Sequence, residues 1–131
     1  MSDWTKANLR DVEDQAPGFG FGEIQSARFA HGALEAQDTG VSLMGVKPGK
    51  RQGFAHRHEN AEEVYVILSG SGRMKLDEAI IEVGPLDAIR VSPGVARAFE
   101  AGEEGLELLA VGPRHEGDGE IIRNGFWGDD R

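Results

Sequence analysis

FAHRHENAEEVYVILSG, residues 54 to 70, sets two histidines on either side of one arginine and runs from a pair of glutamates into an apolar segment. In an extended strand residues two apart share a face, so His56 and His58 project together and Arg57 points to the other side. Glu59 to Glu62 reads as a turn, and a chain returning antiparallel from it brings Glu63 across from the histidines. Two imidazoles and one carboxylate are the ligand set of facial-triad non-haem iron, which also suits manganese, nickel or zinc. Along the returning strand Glu63, Tyr65 and Ile67 share one face, while Val64, Val66 and Leu68 take the other. Glu62 is the alternate carboxylate for a strand that starts one residue early, but that slip turns it outward.

The flanking sequence repeats the pattern of short apolar segments between breakers. Glycine accounts for 19 of the 131 residues, about double the usual share of roughly 7%. Strands are predicted at 27–29, 41–46, 54–58, 63–68, 72–76, 79–83, 88–91, 97–101 and 106–112. They are separated by Lys47-Pro48-Gly49-Lys50, Ser69-Gly70-Ser71-Gly72, Gly84-Pro85 and Ser92-Pro93-Gly94. Such spacing predicts an all-β antiparallel sandwich or barrel. The length fits one domain over residues 1–131, with a core of about 23–112, an N-terminal arm 1–22 and a C-terminal tail 113–131. Only Thr5 to Gln15 has helical potential. Trp4, Phe19, Phe21, Phe126 and Trp127 predict that the arms pack on the core or on a partner subunit.

Charge and composition exclude several classes of function. There are 14 Lys plus Arg against 23 Asp plus Glu, a formal charge of −9, which argues against a nucleic-acid partner. No cysteine is present, so disulfides, thiolate metal sites and a cysteine nucleophile are absent, which fits a reducing cytoplasm. The polar start MSDWTKANLRD predicts no secretory signal, and the longest apolar run, Val64 to Leu68, is too short for a membrane span. No G-x-S-x-G nucleophile elbow occurs, and Ser69 to Gly72 reads as a hairpin turn, not a phosphate loop.

The longer segment PGKRQGFAHRHENAEEVYVILSGSG resembles the first motif of the cupin superfamily: glycine, a short spacer, H-x-H, three or four residues, glutamate, six residues, glycine. Glu63 follows His58 after four residues and precedes Gly70 by six more, while the spacer from Gly49 to His56 is six residues where the motif has five. VGPLDAIRVSPGVARAFEAG is similar, more loosely, to the second cupin motif through Gly84, Pro93 and Gly94. Three residues after Gly94, where cupins commonly place their last metal-binding histidine, stands Arg97. The resemblance covers about residues 40 to 112 and implies a small jelly-roll barrel, a double-stranded β-helix of antiparallel strands. It also implies a homodimer.

Arg97 governs the reading of the site, since arginine stays charged and cannot ligate a metal. A guanidinium about 4 Å from a divalent ion is repelled by roughly 8 kcal/mol at an effective dielectric near 20. Either its head swings away and clamps a carboxylate or phosphate of a metal-bound ligand, or there is no metal and Arg97 pairs with Glu63 where the ion would sit. Both remain open, with the metal-free state preferred. Strand parity adds Tyr65, Gln52, Phe54 and Phe99 to Arg97 as candidate ligand-binding residues beside the candidate metal ligands His56, His58 and Glu63. His31, His115 and the acidic run Asp118 to Glu120 are expected to be solvated. The preferred function is binding of a small, anionic molecule. The alternatives are a metal-dependent dioxygenase or isomerase using Fe, Mn, Ni or Zn, and a structural dimer with an inert pocket.

Overall fold

The computed structural model describes residues 3–115 and 117–128. Its strands are β1 (Gln25–Phe29), β2 (Thr39–Val46), β3 (Ala55–His58), β4 (Glu63–Leu76), β5 (Ala79–Val83), β6 (Ala88–Val91), β7 (Arg97–Pro113) and β8 (Gly119–Ile122). Every pairing is antiparallel. One layer contains β6, the first half of β4, the second half of β7, β2 and β1. The other contains β5, the second half of β4, the first half of β7, β3 and β8. Because β4 and β7 serve in both, the layers form one curled sheet, a jelly-roll barrel.

The glycine-rich segment 69–72, expected to turn, instead continues β4 through two register shifts against β7, between Ile67 and Ser69 and between Gly70 and Gly72. Glycine makes this crossing possible. Gly70 has φ +80°, and a Cβ there would stand 1.9 Å from the Gly105 carbonyl oxygen, while one at Gly72 would stand 2.1 Å from that of Glu100. The two backbones therefore touch where β4 bends from one layer into the other, the usual work of a bulge.

Alternation along β4 buries Tyr65 and Ile67 and leaves Val64 and Val66 half-covered, with Leu68 exposed. The inward side chains meet Met74, Val91, Phe99, Leu106 and Leu108 in one core between the layers. The Thr5–Gln15 helix does not form. A single 3-10 turn, Leu9–Asp11, takes its place, with the Asn8 side chain accepting the Arg10 N–H. Asp14 likewise accepts the amides of Ala16 and Ala27, local bonds that compete with a helix and tie the arm to β1. The only α-helix among the described residues is the single turn α1 (His31–Leu34).

The aromatic arms are partly docked. Phe21 packs on Phe54 with ring centroids 5.7 Å apart, while Trp4 is 77% exposed on the single chain. In the segment expected to be a tail, β8 pairs along β3, so the ladder reaches beyond residue 112. Trp127 stacks on Arg51 at 4.4 Å, and Phe126 lies 5.0 Å from the Lys75 ammonium. No helix among the described residues is long and apolar enough to cross a membrane.

Candidate functional site

β3 presents His56 and His58 to the barrel interior, with ring centroids 5.2 Å apart, and turns Arg57 outward to Glu120 at 2.9 Å. From the facing layer, the start of β4 supplies Glu63 and Tyr65. Glu63 Oε1 lies 3.7 Å from His56 Nε2 and 3.4 Å from His58 Nε2, and the donor atoms of the three residues fall within 4.8 Å of one another. Glu62 points away and reaches Arg90 at 3.4 Å.

Arg97 stands opposite His56 in the β3–β7 ladder and is 1% exposed. All three of its guanidinium nitrogens are engaged: Nη2 donates to Glu63 Oε1 (2.9 Å), Nε to the Tyr65 hydroxyl (3.0 Å) and Nη1 to the Val95 carbonyl (2.7 Å). The Tyr65 hydroxyl in turn donates to Glu63 Oε1 at 2.7 Å. Burial alone would raise the Glu63 carboxyl, but the side chains of His56, His58 and Tyr65 outweigh it and hold the group well below the usual carboxylate range. Burial, then the neighbouring Glu63 charge, push Tyr65 well above the usual phenol range, so it remains a donor.

His56, His58, Glu63 and Tyr65 floor a cavity of about 750 Å³ whose apolar wall includes Phe19, Phe29, Val41, Met44 and Phe54. Gln52, Phe54, His56, His58, Glu63 and Tyr65 line it. Arg97 and Phe99 are not among its lining residues. Both are buried one layer deeper, with the Phe99 ring edge-on to Tyr65 at 5.3 Å, so neither touches the cavity as a ligand-binding residue was expected to. Gln52 has a structural partner as well, its Oε1 accepting the Phe99 N–H at 3.0 Å.

Several residues expected in solvent border the site, Glu120 among them. His31 and His115 line the cavity. Asp118, 7% exposed, accepts the N–H groups of Asn60 and Ala61 and so shapes the turn between β3 and β4. Its Oδ2 faces His58 Nδ1 at 3.5 Å, and among the described residues that buried nitrogen has no hydrogen-bond partner. Burial would raise the Asp118 carboxyl, but the amides of Ala61 and Asn60 and the nearby His58 hold it low. No spacing in the sequence marks Asp118, because its role arises only when β8 pairs with β3.

Comparison with known proteins bears on this barrel at the level of the family. Residues 42–112 match the profile of the cupin domain. The chain belongs to the cupin family. No curated protein resembles this cupin in sequence at a significant level. Among solved structures it is similar to a cupin protein from Bacteroides fragilis, at 23% identity over 89% of each chain with a TM-score of 0.69. The polyketide cyclase RemF from Streptomyces resistomycificus is 22% identical over 91% of this cupin and 84% of its own length, with a TM-score of 0.72. The Streptomyces nucleoside dehydratase Pac13 is 16% identical over 91% of both chains, with a TM-score of 0.69. At these identities the likeness is one of fold.

The donor set fits a resident metal only in part. The convergence of His56, His58 and Glu63 suits one ion with bonds of about 2.0–2.2 Å, and Asp118 stands where an outer carboxylate would orient His58. Against it, Glu63 Oε1, the oxygen both imidazoles face, already accepts from Tyr65 and Arg97. An ion bound to that oxygen would sit against a permanent guanidinium. The arrangement is a closed ion pair at the centre of the triad.

Proposed function

We propose that this cupin binds a small organic molecule in the barrel cavity, over a metal-free floor that presents His56 and His58 to it. The observation that carries this reading is the engagement of Glu63 Oε1 by both Arg97 and Tyr65. It occupies the carboxylate oxygen that a metal would share with the histidines, and His56 and His58 line the cavity beside Glu63. A polyketide cyclase and a nucleoside dehydratase of similar fold, the latter solved with uridine, support an organic ligand in such a barrel. Imidazole NMR spectra of His56 and His58, recorded during titration with a fragment library of small aromatic and aliphatic compounds, test the proposal. Perturbation of both rings by at least one compound is expected, and spectra unmoved by every compound would overturn it in favour of an inert pocket.

A second reading, a metal-dependent cupin enzyme, is favoured by the convergence of three donor atoms within 4.8 Å. Elemental analysis of protein purified without chelator or nickel resin separates the two, since one equivalent of iron, manganese, nickel or zinc would replace the metal-free reading. We also propose a homodimer, supported by the exposure of Leu68, Ile80, Ile81 and Leu86 on the outside of the barrel. A light-scattering mass near 14.1 kDa at every concentration would refute it.

A further inference from the structure

Arg114 directly follows β7, and its backbone N–H donates to the Asp38 carbonyl at 2.8 Å, which fixes it where the β2–β7 ladder ends. Its Nη1 lies 3.5 Å from His31 Nε2, and Arg114, His31 and His115 line the same cavity as the histidine floor. Among the described residues no carboxylate pairs with Arg114. That is notable in a chain with 23 acidic residues against 14 Lys plus Arg, where an exposed arginine has acids available on most sides. The two carboxylates lining the cavity are already matched, Glu63 by Arg97 and Glu120 by Arg57. Among the described residues the uncompensated charge bordering the cavity is therefore positive, and apolar wall makes up much of the remaining surface.

We infer that the ligand of this cavity carries an oxyanion, a carboxylate or a phosphate monoester, on an apolar body, with Arg114 as the recognising cation and His31 and His115 beside it. The inference rests on the cavity reading above and moves anion recognition from Arg97, which is buried and fully engaged, to Arg114. A guanidinium meets a carboxylate or phosphate through two parallel hydrogen bonds, and its long contact to His31 is a weak one to exchange for them.

Isothermal titration of the full chain with benzoate, 1-naphthoate and 4-phenylbutanoate, each beside its primary amide, and with 1-naphthyl phosphate, tests this. At least one acid is expected to bind tenfold tighter than its amide, and Arg114→Gln is expected to bring the pair to equal affinity. Preference for 1-naphthyl phosphate over 1-naphthoate would assign the phosphate as the anion, and the reverse would assign the carboxylate. Equal binding of acids and amides by the wild type, or a preference that survives Arg114→Gln, overturns the inference and leaves the cavity reading intact. Binding of no probe, acid, amide or phosphate, counts against both.

Discussion

Arg97 and Glu63 reach each other from the two layers of the barrel, Nη2 to Oε1 at 2.9 Å, and Tyr65 gives its hydroxyl proton to the same oxygen. Removing the cation leaves a largely buried carboxylate without its charge partner. Arg97→Met is expected to cost about 3 kcal/mol, the low end of the range for breaking a buried pair, because Glu63 retains some access to the cavity. Adding Glu63→Gln to Arg97→Met should recover part of that loss, as chemical denaturation of the single and double variants will show.

Arg97→His replaces the guanidinium with a third imidazole beside His56 and His58. Affinity for nickel or zinc should rise by at least tenfold, about 1.4 kcal/mol, by isothermal titration. Equal, tight binding by wild type and variant would mean that the wild-type ion pair gives way to metal.

Asp118 organises the turn at Asn60 and Ala61 and faces Nδ1 of His58. Asp118→Asn retains the size of the side chain but removes the charge that favours a proton on Nδ1. The expected result is a shift of the His58 ring towards the Nε2–H tautomer, read from its ring nitrogen chemical shifts, with His56 unaffected.

Glu100 lies between Arg51 and Arg73, at 2.6 and 2.8 Å. Burial pushes its carboxyl up, but hydrogen bonds and charge from the two arginines win and hold it low. A depressed folded-state pKa contributes stability that is present above the unfolded carboxylate value and is lost as pH falls through the folded one. Stability should therefore decline below about pH 4.3, at up to about 1.4 kcal/mol per pH unit from this group, and Glu100→Gln should flatten the slope. Urea melts between pH 3 and pH 7 measure it.

Trp127 covers the same arginine pair, 4.4 Å from Arg51 and 5.6 Å from Arg73. Trp127→Ala should cost about 1 kcal/mol and deletion of residues 124–131 should lower the melting temperature. An unchanged melt with a mobile segment in NMR would show that the stacking contributes nothing.

The strands at 79–83 and 88–91 lie between the breakers that bound them in the sequence, and His56 and His58 share one face of β3, while Glu63 meets them from the facing layer and not from a strand paired to β3. The shared face of the histidines depends on side chains two residues apart, which a local pattern records. Ser69 to Gly72 reads as a turn and is instead a bulge, because glycine serves both and only the close approach of the β7 backbone selects the bulge. Asp118, His31 and Arg114 border or support the site through pairings of segments far apart in sequence, for which no short spacing exists. Arg97 was legible as a replacement for histidine, whereas its turn away from the cavity required the positions of Tyr65 and Val95.

The sharing of β4 and β7 between layers sets the order in which the protein can be made. As the chain emerges from the ribosome, Thr39 must wait for Pro113 and Ala55 for Ile122 before their ladders close. Half a barrel has no folded half-product to rest in, and pairings this distant in sequence form slowly. His58 acquires its carboxylate neighbour Asp118 only with this last strand, so binding competence should arrive late, in a single step with the closing of the barrel.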